Sequence, residues 1–306
     1  MSRSSPGAER VTAVLSFLAA HPDQSFSLSE LAAELELSVA TAHALLYSLV
    51  AEGYLVRGVT NRRYALGPAL IEVGDAARRR QGPLLDFVRA GVEQLARDLS
   101  GLQCLATQRI GRQYAVVARA GASSVFGMTV QIGQRLTFGP PMHAIYVAWA
   151  DEDTIRDWLR DIARGSSERA VEQCRQALAR IREHGYIITL AERAGLPPVY
   201  RKLRGTPPTA RPDFSAELSL LMESHYFLNT LEKDQTYQVS HIGAPVFDAD
   251  GQVVVSLSAV FFGEPVTGSD LIAAASQIAA AGARITTMIG GHAPNPPDGR
   301  VRPAAR

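Results

Sequence analysis

Two helix starts and the turn between them are written into residues 26–41, and they constrain this chain more than any other feature. Ser27-Leu28-Ser29-Glu30 has the spacing of a capping box, in which the Ser27 hydroxyl and the Glu30 carboxylate satisfy each other's orphan backbone donors. Phe26 and Leu31 occupy the positions of a hydrophobic staple, which fixes the angle at which the chain enters the helix. Leu31, Ala32 and Leu35 then supply the buried face of a short helix. Glu36-Leu37 leaves room for a tight connection only, and Ser38 can cap a further helix running to about Ala51. Leu45, Leu46, Leu49 and Val50 form the inner stripe of that helix, and Gly53 stops it. Upstream, Val11, Val14, Leu15, Phe17 and Leu18 recur at helical spacing as far as Pro22. Downstream, Tyr54–Arg57 and Arg63–Leu66 flank a polar break and read as a β-hairpin. Three helices and a hairpin within residues 9–67 make a winged helix-turn-helix.

The remainder reads as a second, larger domain. Residues 1–8 are rich in Ser, Pro and Gly and read as a disordered arm, residues 68–83 as a linker helix, and 293–306 as a proline-rich tail. Between them, 84–292 alternates strand-like and helical runs: a helix over 84–99, strands over 103–110 and 114–118, and helices over 142–150, 152–163 and 167–184. A β-type run follows over 186–190. Residues 191–214 read as irregular and 215–233 as helical. Strands over 242–247 and 253–262 surround an Asp250-Gly251 turn, and a closing helix spans 270–289. The pattern is α+β.

Composition narrows the function. The 306 residues carry a net charge of +1, so no bulk basic excess announces a nucleic-acid partner. Residues 1–66 hold five arginines (3, 10, 57, 62, 63) against six acids (9, 23, 30, 34, 36, 52). Any DNA affinity must therefore come from local clustering and from pairing of two copies. Cys104 and Cys174 are too few and too far apart for a disulfide framework or zinc cluster, and read as reduced cytoplasmic thiols. No run of apolar residues is long enough for a membrane span, and the first nine residues lack the apolar core of a signal peptide. Nucleophile-elbow, phosphate-loop, H-E-x-x-H and C-x-x-C motifs are all missing, so neither an enzyme, a metal nor a cofactor is expected.

Several stretches together resemble the IclR family of transcriptional regulators. In the first block these are Leu31-Ala32, Ser38 to Leu46, Leu49, Gly53-Tyr54-Leu55 and Arg63 to Gly67. In the second they are Gly133, Pro141-Met142-His143-Ala144, and Ile242 to Asp248 with Gly251 and Ser258. The resemblance implies a winged helix-turn-helix, a linker helix serving dimerisation and signal transmission, and a GAF-like α+β domain that binds a small organic effector. It also implies a homodimer, or a dimer of dimers, on a palindromic operator in double-stranded DNA. Departures fall on the recognition helix, with Ala44 in place of the usual arginine, and in the pocket region. There Ile145, Ala148 and Trp149 replace Thr, Gly and Lys, and His241 stands where a cysteine is common.

The candidate residues follow from chemistry and resemblance together. A helix entering the major groove needs small or polar residues outside, with cations nearby for phosphates. Val39, Thr41, His43 and Tyr47 can face outward, Ser38 directs the positive helix end toward phosphate, and Arg10, Arg57, Arg62 and Arg63 are candidate phosphate ligands. For the effector, the candidates are Met128, Gln131, Met142, His143 and Tyr146, facing His241, Ser256 and Ser258. Ser256 and Ser258 share one strand face, and two hydroxyls with an imidazole suit a carboxylate or phenol. The apolar replacements point to an aromatic or hydrophobic acid. Each residue also has a plainer reading, as a solvated helix residue or a satisfied core group. The competing function is a ligand sensor with a degenerate winged domain that acts through protein partners, motivated by Ala44 and the acidic balance of residues 1–66.

Overall fold

The computed structural model describes residues 5–80, 83–110, 113–122, 132–136, 141–164, 166–191, 216, 220–221, 226–261 and 265–294. These fall into two compact units that divide at residues 82/83.

In the first unit, α1 (Pro6–Ala20), α2 (Leu28–Glu34) and α3 (Val39–Ala51) precede a hairpin of β1 (Leu55–Arg57) and β2 (Tyr64–Leu66), and α4 (Ala69–Arg80) follows. The capping box forms as its spacing requires: the Ser27 N–H donates to Glu30 Oε2 at 2.7 Å, and the Glu30 N–H to Ser27 Oγ at 3.3 Å. The turn into α3 closes through a Leu37 N–H bond to the Ala32 carbonyl, with Glu36 in the left-handed region (φ 51°), a position usually given to glycine. Phe26 does more than staple. It exchanges backbone hydrogen bonds with Tyr64, adding one rung to the hairpin. Val14, Phe17, Leu18, Leu31, Leu46, Leu49, Leu55 and Tyr64 make the core. The expected arm at residues 1–8 needs correction: α1 begins at Pro6, because proline's fixed φ and missing N–H suit the first helical position.

The second unit is a six-stranded antiparallel sheet of order β5-β4-β3-β9-β8-β6. Its strands are β3 (Gln103–Ile110), β4 (Gln113–Ala120), β5 (Arg135–Leu136), β6 (Ile187–Leu190), β8 (Val239–Phe247) and β9 (Val253–Val260). Two short strands, β7 (Thr236–Tyr237) and β10 (Val266–Thr267), pair separately. One sheet face packs on α5 (Leu84–Asp98) and α9 (Gly268–Met288) through Cys104, Ala106, Ile242, Ala244, Val246, Val255, Leu257 and Ala259. The other packs on α6 (Ala144–Val147), α7 (Glu152–Ala163) and α8 (Glu168–His184) through Leu105, Val116, Ile187 and Val260. Strand alternation produces the division, since neighbouring side chains point to opposite faces. The helical reading of 215–233 fails over 226–233. There Phe227 instead bridges to Thr189, and the Leu190 N–H bonds the Tyr226 carbonyl, which covers an otherwise open sheet edge. The irregular reading of 191–214 lies outside the described residues, save for Ala191.

Candidate nucleic-acid interface and ligand pocket

On the first unit, α3 buries Ala42, Leu46 and Leu49 and leaves Val39, His43, Ala44, Tyr47 and Ser48 exposed along its opposite side. Val39 is 60 % and Tyr47 71 % accessible. Ser38 Oγ accepts from the Thr41 N–H and lies 2.8 Å from Thr41 Oγ1. Both hydroxyls are thus partly committed to the helix start. The four arginines divide. Arg10, Arg57 and Arg62 are exposed, and the Arg57 guanidinium lies 5.4 Å from the Tyr64 ring centre. Arg63 turns inward, donating from Nε to the Ser25 carbonyl at 2.9 Å and from Nη2 to Glu30 at 2.7 Å. The Ser27 N–H, and after it the Arg63 guanidinium, hold the Glu30 carboxyl below its ordinary range. Arg63 therefore ties the hairpin to the start of α2, a link that local sequence could not reveal because its partners lie more than thirty residues away.

On the second unit, the sequence candidates converge on one sheet face. The register places Thr107 opposite Ser256, Leu105 and Gly243 on either side of Ser258, and Thr189 beside His241. Above this floor, α6 brings Tyr146, and His143 precedes it in the left-handed region (φ 64°). The His143 ring stacks on Tyr114, centres 3.4 Å apart and planes inclined by 7°. Tyr146 is the clamp between helix and sheet: its buried hydroxyl accepts from the Ser256 N–H at 3.0 Å and donates to the Thr107 carbonyl. Its polar end is thereby occupied by backbone. Met142 is buried, and Tyr226 donates to its sulfur at 3.2 Å. His241 Nδ1 lies 2.8 Å from Thr189 Oγ1. Burial pushes the His143 imidazole down to about 3 and that of His241 to about 4, with the neighbouring charge of His241 adding to the effect on His143. Met128 and Gln131 lie outside the described residues.

Four residues of this face escaped sequence reasoning: Thr107, Tyr114, Thr189 and Gly243. A β-carbon on Gly243 would come within 3.2 Å of Ile187 Cγ2 and 3.3 Å of Ser258 Oγ, so the glycine leaves a dent in the floor. A glycine within a strand-like run is the one signal that could have marked it. The buried Cys104 and Cys174 are free, and burial raises both thiols to about 12, which keeps them protonated and unreactive. Among the described residues, no group of His, Cys, Asp or Glu is placed to hold a metal ion, and no helix is long and apolar enough to cross a membrane.

Comparison with known proteins bears on both units. Residues 7–58 match the family model of the IclR helix-turn-helix domain. A 76-residue stretch is 37 % identical to the glycerol operon regulatory protein of Streptomyces griseus, of whose length the match spans 30 %. In fold, the chain is similar to an IclR transcriptional regulator from Alicyclobacillus acidocaldarius (TM-score 0.61, 20 % identity, covering 94 % of this chain and 100 % of that one). It is also similar to the IclR of Thermotoga maritima (0.59, 16 %, 92 % and 98 %). A third likeness is to an IclR homologue from Microbacterium hydrocarbonoxydans complexed with 4-hydroxybenzoate (0.58, 17 %, 92 % and 98 %).

Proposed function

We propose that this chain, which carries an IclR helix-turn-helix domain on the fold of IclR transcriptional regulators, binds a specific operator as a homodimer and changes its affinity for it when a small organic acid occupies the sheet face of the second unit. The observation that carries the reading is the outward side of α3, where Val39, His43 and Tyr47 stand exposed on a helix whose inner side is locked into the core. Val39 suits a thymine methyl, and His43 a base-edge donor or acceptor. Arg10, Arg57 and Arg62 supply phosphate contacts, while Arg63 positions the hairpin. Three cations per copy are a small electrostatic anchor, so tight binding requires two copies on a palindromic or pseudo-palindromic site. The α4 helix, with Ile71 75 % exposed and Val73 50 % exposed, supports a role in pairing and in relaying the signal.

The effector reading rests on the polar and aromatic floor: Ser258, Ser256, His143 and His241 beside the Tyr114 ring and the dent at Gly243. A neutral imidazole and a hydroxyl can donate to a carboxylate, and the flat stack suits an aromatic body. The Microbacterium homologue's complex with 4-hydroxybenzoate supports that chemistry by likeness of fold. The ligand would favour one arrangement of the two copies, and only one spacing of the α3 helices fits both half-sites. The test selects DNA from a random pool with the full chain, then titrates the selected site with and without 4-hydroxybenzoate. A discrete sequence whose affinity changes at least several-fold with the acid supports the reading. An absence of any selected sequence, with binding that moderate salt abolishes, would leave the sensor acting through protein partners as the better account.

A further inference from the structure

Away from that face, at the far edge of the sheet, a cavity of about 400 Å³ opens between α8, β6, the segment 227–231 and Ile272 of α9. Its size is that of a small-molecule pocket. It shares Ile187 with the effector face, where that side chain bounds the dent at Gly243, and none of that face's polar groups. The floor is apolar, built from Ile181, Leu228, Leu231 and Ile272. Its polar groups are few and varied. Arg180 and His184 stand one turn apart on α8, and Arg180 takes part in no salt bridge among the described residues. The His184 ring stacks on Tyr186 with centres 5.6 Å apart, giving a flat wall. Asn229, in the same lining, has a buried side-chain oxygen with no hydrogen-bond partner among the described residues.

A buried amide oxygen left without a donor is costly, and folded chains keep few of them. From this combination we infer that the edge cavity is a second ligand site, taking a monocarboxylate with a flat apolar body and a hydrogen-bond donor at its far end. The carboxylate meets the Arg180 guanidinium, which offers a planar pair of donors. The body lies along the His184–Tyr186 wall over the apolar floor, and the distal hydroxyl or amine donates to the Asn229 oxygen, which a rotation of that side chain brings from its buried position to the cavity. The inference is independent of the effector reading, because it calls on none of the polar or aromatic groups of the sheet-face floor.

The test uses the full chain, with 4-hydroxybenzoate as the probe carrying both groups and benzoate as the probe lacking the distal donor. Hydrogen exchange reads the two places separately: residues 227–231 report the edge cavity, and residues 107–116 with 256–258 report the sheet face. The expected result is saturable protection of 227–231 by 4-hydroxybenzoate. Arg180→Gln should weaken that protection about tenfold, the effect of losing one charge-assisted hydrogen bond. Asn229→Leu should remove the preference for 4-hydroxybenzoate over benzoate. Ser258→Phe, which fills the dent on the sheet face, should leave protection at 227–231 intact. The inference is overturned if 227–231 shows no protection at millimolar probe, if both edge variants bind as the parent does, or if Ser258→Phe abolishes protection at both places together.

Discussion

The two covered imidazoles make the stability of the second unit depend on pH in a defined window. His143 and His241 are held at about 3 and about 4 in the folded chain, against an unfolded value of about 6.5. Between those limits the unfolded chain takes up protons that the folded chain does not. Stability is therefore complete above about pH 6.5 and is lost progressively as pH falls toward the folded values. At pH 5.5, one unit below the unfolded value, each histidine should have cost about 1.4 kcal/mol, or about 3 kcal/mol for the pair. The carboxyls lowered by capping and pairing, Glu30, Asp151 and Glu172, stay ionised between pH 7.5 and 5.5 and do not confuse a comparison over that range. Both tryptophans of the chain, Trp149 and Trp158, lie in the second unit, so urea unfolding followed by their fluorescence reads the relevant part. The wild type should lose about 3 kcal/mol between pH 7.5 and 5.5, and a His143→Asn, His241→Gln double variant should lose much less. A wild-type loss under about 0.5 kcal/mol, or an equal loss in the double variant, would mean that the two imidazoles do not set the pH dependence.

Four further outcomes are expected. Tyr146→Phe should cost about 2–4 kcal/mol in the same urea series, because it orphans two buried backbone partners, the Ser256 N–H and the Thr107 carbonyl; a cost below 0.5 kcal/mol would contradict the clamp. Arg62→Ala should lower operator affinity and flatten its salt dependence by about one ion without speeding amide exchange in 26–30. Arg63→Ala should do the reverse, speeding exchange there with a stability cost within about 1 kcal/mol, since its ion pair with Glu30 is partly exposed. Gly67→Ala should destabilise the hairpin by about 1–3 kcal/mol, because a β-carbon there would lie 2.2 Å from the Gly53 carbonyl oxygen; limited proteolysis of the first unit reads it.

The first unit was legible because its determinants are local. The capping box, the Ser38 cap, the Gly53 stop and the hairpin all act within a few residues, and each forms where the spacing places it. What the sequence concealed is long-range. Nothing near Arg63 in sequence says that it reaches Ser25 and Glu30, and nothing near Phe26 says that it pairs with Tyr64. On the second unit, strand alternation correctly put Ser256 and Ser258 on one face, yet Thr107, Tyr114 and Thr189 join that face only through pairings with distant strands. The helical periodicity over 226–233 misled for a related reason: tertiary pairing with an exposed edge strand outweighed a local preference. The edge cavity was invisible for the same cause, since its walls come from three separate stretches of chain, 177–188, 227–231 and Ile272.

Under the proposed function, two copies read one DNA site through paired α3 helices. Hydroxyl-radical footprinting of the full chain on its selected DNA, at physiological salt, tests it most directly. Two protected half-sites are expected on one face of the duplex, their centres one helical turn or a multiple apart, both lost together in a His43→Ala, Tyr47→Ala variant that stays folded. A single unpaired patch, or protection that persists in that variant, would contradict it.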